Sequence, residues 1–312
     1  MEENTKEFSE KSNREKGRII SGVGGLYTVR LPDCDIQCRA RGALRHSGIS
    51  PLVGDFVQIG IDEKNNAVIE EICERRNSLI RPPIANIDCI FVTMAAASPK
   101  PMLDMTDKLC AILEHNDIKP VIIVGKCELD RENAEVIRDT YKKAGYDVFV
   151  LSCVTGEGIE EIKEYVDKNM SGKISAFAGA SGVGKSTLLN KLFPHLELCT
   201  GEVSRKVERG RHTTRTVSLF EVCEGGGFLA DTPGFSMLDF DRFDFMDVEN
   251  LPNVFPEIHE CVGLCRYTKC SHTKEEGCMV LQKVRNGEMA PSRHESYVKL
   301  YGILKNKPKW DK

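Results

Sequence analysis

The sequence predicts three folded units in a row: a small β-barrel, an α/β unit built on a mainly parallel sheet, and a cysteine-rich C-terminal unit with helices. Three observations carry this. Between Gly17 and about Ser78, short alternating or β-branched segments are punctuated by pairs such as Gly24-Gly25 and Asn65-Asn66. After Arg81-Pro82-Pro83, continuous Val/Ile/Phe-rich runs alternate with helical stretches. From about residue 245 the chain turns rich in Cys, Pro and charge. A length of 312 residues suits two or three domains of about 100–200 residues each.

Composition narrows the class. Apolar residues make up 41% and charged residues 29%, ordinary for a globular chain able to bury a core, which excludes a wholly disordered or fibrous one. Lys plus Arg number 43 against 47 Asp plus Glu, a formal charge of -4, so any contact with nucleic acid must come from a local basic patch. The opening stretch MEENTKEFSEKSNREKGR is too polar for a secretory leader, and residues 1–16 read as a disordered tail. No apolar run approaches the ~18 residues of a membrane span. The expectation is a cytoplasmic protein. Nine of the 13 cysteines are scattered and suit a reducing compartment as small buried hydrophobes, Cys34 and Cys38 of the barrel included; four crowd into residues 261–278.

In the barrel, GRIISGVGGLYTVRL, DIQCRARGAL, GDFVQIGI and AVIEEIC show short strands with turn signals and no helical period. Five strands in this length suit an oligonucleotide/oligosaccharide-binding (OB) barrel, and an SH3-like barrel fits almost as well. Further on, IDCIFVTMA, KPVIIVGK, YDVFVLSC, ISAFAGA, TVSLFEVC and GFLADTPG are six strands of a sheet covered on both faces, with helices around 103–115, 132–144, 159–169 and 186–193. The last two strands are joined by Gly225-Gly226-Gly227 and read as a hairpin; a final helix is expected near 292–305.

Gly179-Ala180-Ser181-Gly182-Val183-Gly184-Lys185-Ser186, followed by Thr187, fits the phosphate-loop pattern, and it lies where that pattern must, between an apolar strand and a helix. Its glycines let backbone N–H groups turn toward a β-phosphate, Lys185 reaches the β/γ oxygens, and the Ser186 hydroxyl binds Mg2+. Downstream, Asp231-Thr232-Pro233-Gly234 ends a strand, where Asp231 can hold Mg2+ through water and the Gly234 N–H can meet a γ-phosphate. Between them, Arg209-Gly210-Arg211-His212-Thr213-Thr214-Arg215 is the place for a switch threonine that closes on Mg2+: Thr214 first, Thr213 second.

No base-reading Asn-Lys-x-Asp loop follows residue 234. Upstream, however, one strand ends in Gly125-Lys126-Cys127-Glu128-Leu129 and the next in Ser152-Cys153-Val154-Thr155. These look like altered forms of the Asn-Lys-x-Asp-Leu and Ser-Ala-Lys loops, placed before the phosphate loop. A rotated order keeps the site if the sheet is kept, because a crevice at strand C-termini depends on position in space. At the other end, Cys261-x3-Cys265-x4-Cys270-x-His272-x5-Cys278 offers five soft ligands where zinc takes four; a disulfide pair is the weaker alternative.

This order of motifs resembles the circularly permuted GTPases of the ribosome small-subunit-dependent GTPase A family (RsgA, also called YjeQ). The likeness covers about residues 17–305 and rests on the strings GASGVGKSTLLN, GRHTTR, DTPGF and CRYTKCSHTKEEGC. It implies an OB-type barrel over 17–80, a circularly permuted GTPase domain over 81–243 and a zinc-binding domain over 244–312. It also implies GTP hydrolysis to GDP, stimulated by the small ribosomal subunit during its late maturation, by a protein expected to be a monomer. The family string maps its zinc ligands onto Cys265, Cys270, His272 and Cys278, leaving Cys261 outside. His212 is the resemblance-based candidate for positioning the attacking water, since Phe235 stands where many GTPases carry a glutamine and a phenyl ring cannot orient water. Gly125 replaces the family's Asn, so an amide expected near the guanine O6/N7 edge is missing; Glu128 replaces its Asp, and Val154 its Lys.

Residues 203–215 carry Arg205, Lys206, Arg209, Arg211 and Arg215 against Glu208, the most basic stretch of the chain and a candidate for rRNA backbone contact coupled to nucleotide state. Arg39, Arg41, Arg45 and His46 add to this on the barrel. With few aromatics there, backbone and shape recognition of folded RNA is expected. Two other readings are a phosphate-loop ATPase, motivated by Gly125 and Glu128, and a nucleotide-regulated RNA-binding scaffold with negligible turnover, motivated by Phe235.

Overall fold

The computed structural model describes residues 14–42, 44, 49–61, 66–80, 82–196, 217–223, 226–231 and 246–306. Strands β1 (Glu15–Val23), β2 (Leu26–Arg30), β3 (Asp35–Ala40), β4 (Phe56–Ile61) and β5 (Ala67–Ile72) run in the order 1-2-3-5-4 and close as β4 returns to β1. All pairings are antiparallel except β3 with β5. The first strand takes in Glu15 and Lys16 from the stretch read as tail; Lys16 lies over the Phe56 ring, keeping its charge in water while its stem packs. Inward positions Ile19, Val29, Val57 and Ile69 are fully buried. One charge is buried with them: Asp55 accepts two bonds of 2.7 Å from Arg75 and one of 2.7 Å from the Leu52 N–H. Cys38 packs inside as expected, whereas Cys34 is exposed.

A short hairpin, β6 (Ser78–Ile80) with β7 (Pro83–Ala85), leads out of the barrel. The sheet that follows has the order β10-β9-β8-β11-β13-β12, built from β8 (Cys89–Ala95), β9 (Lys119–Gly125), β10 (Asp147–Val150), β11 (Ile174–Ala178), β12 (Ser218–Cys223) and β13 (Gly227–Asp231). Five strands are parallel and β12 is antiparallel to β13, as the hairpin reading requires. Every residue of β8 and β11 is buried, which explains their mostly apolar sequences; the exceptions, Thr93 and Ser175, give their hydroxyls to backbone carbonyls. Alternate residues face opposite layers. Ile90, Val92, Ile122 and Val124 pack toward α1 (Leu103–His115) and α2 (Arg131–Lys143). Phe91, Val121, Ile123 and Phe177 pack toward α3 (Ile159–Asn169) and α4 (Lys185–Leu192). Helix α2 starts where it does because the Asp130 side chain accepts from the Asn133 N–H at 3.0 Å.

Barrel and sheet are continuous: Ser21 of β1 pairs with Ser218 of β12, and Arg30 bonds Glu221 at 2.8 Å. Beyond Met246, a 3-10 turn (Val248–Val254), α5 (Pro256–His259), α6 (Met279–Arg285) and α7 (Pro291–Lys305) form the C-terminal unit. It seats on α1 through a buried ion cluster. Arg293 of α7 reaches Asp107 at 2.8 Å and Glu257 at 2.7 and 3.1 Å, and the Tyr141 hydroxyl donates to Asp107 at 2.9 Å. Burial opposes the guanidinium charge, but the two carboxylates outweigh it and hold its pKa well above the usual arginine value. Removing one member of such a cluster typically costs about 3–5 kcal/mol, so the unit is held by a dry contact spanning the chain.

Candidate nucleotide site and metal centre

The parallel sheet reverses its direction of growth between β8 and β11: the chain adds β9 and β10 on one side, then crosses to β11 on the other. That reversal is where open α/β sheets bind ligands, at the strands' C-terminal ends. The registers set those ends in one row, with Val150 beside Val124, Gly125 beside Ala95, and Ala178 beside Val92. Backbone bonds lock the row: Ala96 N–H to Gly125 O at 2.8 Å, and Leu151 N–H to Val124 O at 2.9 Å.

The phosphate loop leaves β11 at Gly179, whose φ of 150° and position leave no room for a side chain: a Cβ there would lie 2.1 Å from the Thr93 carbonyl oxygen. Gly184, at φ 102°, opens α4. Lys185 folds back over the loop, its amine donating to Gly179 O at 2.7 Å and Ala180 O at 2.8 Å; partial burial lowers its pKa. Ser181, Gly182, Ser186 and Thr187 are exposed around it. Lys126, the residue just past β9, adopts the left-handed φ of 58°, a strained choice for lysine. Its amine bonds the carbonyls of Gly182 at 2.7 Å and Ser98 at 2.8 Å. One side chain thus ties the loops after β8, β9 and β11 together.

Between these loops lies a cavity of about 260 Å3. Gly125, Lys126, Glu128 and Leu129 come from the β9 loop, and Leu151, Cys153 and Val154 from the β10 loop. Val183, Gly184, Thr187 and Leu188 come from the phosphate loop and its helix, and Thr93 from β8. Segments 58 residues apart, such as Lys126 and Gly184, therefore share one wall, as the rotated order requires. Of the residues expected on a nucleotide, Gly179, Ala180, Ser181, Gly182, Lys185 and Ser186 lie beyond this cavity, along the rest of the phosphate loop, and two of the β9 and β10 loops do not line it. The buried Cys127 thiol faces Glu157 and Arg131. The Ser152 hydroxyl accepts from the N–H groups of Val154 and Thr155, at 3.2 and 3.1 Å, shaping the loop instead of the wall. Thr93, Leu151 and Leu188 carry no sequence signal beyond ordinary apolar or strand character, and Leu129 is marked only as the last residue of the altered base-reading string. Asp231 ends β13, beside β11 and at the same edge of the sheet. His212, Thr213, Thr214, Gly234 and Phe235 lie outside the described residues, as do Arg45, His46 and the basic stretch 203–215.

In the C-terminal unit the ligand atoms of Cys265, Cys270, His272 and Cys278 lie within 4.8 Å of one another. Cys265 Sγ is 3.5 Å from His272 Nδ1 and 4.0 Å from Cys278 Sγ, and Cys278 Sγ is 3.6 Å from the same nitrogen. Ligands around one tetrahedral ion stand roughly 3.3–3.8 Å apart, so the four fit a single metal. Burial lowers the His272 pKa and favours the neutral imidazole a metal needs. A second layer holds the loop: His294 Nε2 bonds His272 O at 2.8 Å, and the Tyr297 hydroxyl donates to Ser271 O at 3.0 Å. Burial would raise the Glu275 pKa, but bonds from Ser271 and from loop N–H groups bring it down to about 2. Cys261 turns away, its thiol donating to Glu257 O.

A phosphate loop at the switch point, with two further loops brought to it from upstream in the chain, defines a phosphate-loop nucleotide-binding protein with rotated strand order. The chain belongs to the RsgA GTPase family: that family's model matches residues 72–241, and the RsgA N-terminal domain matches 16–69. It is 40% identical over 297 residues to the small ribosomal subunit biogenesis GTPase RsgA of Caldanaerobacter subterraneus subsp. tengcongensis, covering 95% of this chain and 98% of that one. It is 37% identical over 300 residues to the protein of that name from Clostridium botulinum, covering 95% and 100%. Among solved structures it is similar to YloQ, a circularly permuted GTPase (TM-score 0.76, 34% identity, 96% and 98% covered). The YjeQ structure from Thermotoga maritima gives a TM-score of 0.76 at 32% identity, with 95% and 100% covered. Among the described residues no helix is long and apolar enough to cross a membrane.

Proposed function

We propose that this protein hydrolyses GTP to GDP and phosphate as a cytoplasmic factor in late assembly of the small ribosomal subunit, whose binding stimulates turnover. The observation that carries this is the convergence of the phosphate loop and the β9 and β10 loops on one cavity, in a chain related along its length to proteins of that name. The working units are the barrel (17–80), the GTPase domain (81–243) and the metal domain (244–312).

In this reading the loop from Gly179 to Thr187 holds the phosphates, with Lys185 exchanging its two carbonyl partners for β/γ oxygens. Gly125–Glu128 and Ser152–Val154 form the base end. Glu128 accepts from guanine N1–H and N2–H2, and Lys126 holds the phosphate loop against it. The hydroxyls of Ser186 and Thr214 and the carboxylate of Asp231 are the hard oxygen donors that suit Mg2+. When bound, that ion neutralises charge developing between the β- and γ-phosphates. Gly234 meets the γ-phosphate and His212 positions the attacking water. Cys265, Cys270, His272 and Cys278 hold one structural zinc, with no position left open for chemistry. Basic residues of 203–215 and the barrel meet rRNA.

Single-turnover GTP hydrolysis, measured with and without purified small subunits, tests this. The expected result is slow turnover alone and a rise of at least ~10²-fold with subunits, the scale on which ordered charge-stabilising groups act. Equal rates in both conditions contradict it.

A further inference from the structure

We infer that this protein reads the purine base through one edge only: Glu128 takes the N1–H/N2–H2 donor edge, while the acceptor edge carrying N7 meets no strong side-chain donor among the described residues. The inference rests on the base site proposed above and adds how that site selects its substrate.

The cavity wall decides it. At its base end the β9 and β10 loops contribute aliphatic Leu129, Leu151 and Val154, the weakly donating Cys153 thiol, one amine and one carboxylate. The amine belongs to Lys126 and is already engaged with the carbonyls of Ser98 and Gly182, which hold the loops in place. The carboxylate of Glu128 is exposed at the rim and has no hydrogen-bond partner among the described residues. An ionised carboxylate only accepts. It therefore favours a purine edge with two adjacent donors, as guanine has, over adenine, whose ring N1 is an acceptor. Of the other polar side chains on the wall, Thr93 donates to the Phe91 carbonyl at 3.5 Å, and Thr187 lies on the phosphate-loop helix, in the stretch assigned to the phosphates. A strong side-chain donor for N7 would have to come from another position.

Position 125 is the place from which one could come, and it holds glycine. Gly125 is buried on the wall, and its backbone φ is not in the left-handed range. A Cβ added there meets Val183 O at 3.5 Å and Met94 O at 3.6 Å, ordinary contact distances. The Cβ position is free of clashes, so the local packing does not demand glycine, and an asparagine there would place its amide group at the cavity wall. Guanine selection in this chain is thus the work of Glu128, with the opposite edge left unread by the described side chains.

Calorimetric titration of the full chain in Mg2+ buffer with GDP, 7-deaza-GDP, IDP and ADP tests this. 7-Deaza-GDP replaces N7 by C–H and is expected to bind within about twofold of GDP, while IDP, lacking the 2-amino group, loses about tenfold, one charge-assisted bond at an exposed carboxylate. Gly125→Asn should create a preference of severalfold for GDP over 7-deaza-GDP that the natural chain lacks. A loss of tenfold or more for 7-deaza-GDP with the natural chain, or IDP binding as tightly as GDP, overturns the inference. ADP binding as tightly as GDP would instead overturn the underlying base-site reading. The comparison of analogues on the natural chain stands even if the variant does not fold.

Discussion

Lys185→Ala removes subunit-stimulated GTP hydrolysis while the fold persists. In the structure the Lys185 amine donates to the carbonyls of Gly179 and Ala180 at 2.7 and 2.8 Å, arched over the loop that would enclose phosphate. Its charge is placed where negative charge grows during transfer, in a partly desolvated loop where such stabilisation counts for most. Alanine deletes it, and the loss should exceed ~10²–10³-fold in single-turnover rate. The structural cost is small, since the variant gives up two hydrogen bonds at a partly exposed site, about 1 kcal/mol each. Circular dichroism and thermal melting should therefore stay close to the natural protein. A rate within tenfold of the natural chain would show that Lys185 does not meet the transferring group.

Cys270→Ala empties the C-terminal metal site and loosens residues 261–278, with the barrel and sheet unaffected. This segment has no regular structure between α5 and α6, and Leu264 and Tyr267 within it are exposed, so little apolar burial holds it. What holds it, beside the hydrogen bonds of His294, Tyr297 and Glu275, is the convergence of four ligand atoms, with His272 in the left-handed region at φ 59°. Structural zinc sites of this kind are worth about 10–16 kcal/mol in apparent binding free energy, which exceeds any other single interaction in the unit. The loosening should stop at α7, which is seated on α1 through Arg293, Asp107 and Glu257. Elemental analysis should find one zinc per natural chain and far less in the variant, and hydrogen exchange should rise only around 261–278. Undiminished zinc in the variant contradicts the ligand set, and iron in the natural protein contradicts the metal.

The elements that could be read from the sequence are those whose physics is local. The β8 run CIFVTMA is apolar but for Thr93 because both faces of the strand are covered, and the phosphate loop is legible because its glycines answer steric demands such as the Thr93 carbonyl beside Gly179. Other features depend on partners far along the chain. The final helix near 292–305 is legible, but the burial of its Arg293 depends on Asp107, 186 residues away. The hairpin at 78–85 was hidden by the Arg81-Pro82-Pro83 break, although proline at the first position of β7 breaks no ladder bond that the strand needs. The short helices at 248–259 and 279–285 carry too few turns for a period to show. At the site, spacing marked the β9 and β10 tips, but which of their side chains face the cavity was set in three dimensions. Cys127 turns to Glu157 and Ser152 to its own loop, while Leu129 and Leu151 take their place on the wall.

A crystal structure of the protein with GDP and Mg2+ tests the central claim most directly. The account expects the diphosphate within Gly179–Ser186 and the purine in the cavity between Gly125–Leu129 and Cys153–Val154, its N1–H/N2–H2 edge on Glu128. A diphosphate held in the loop with the base lying outside that cavity would contradict it.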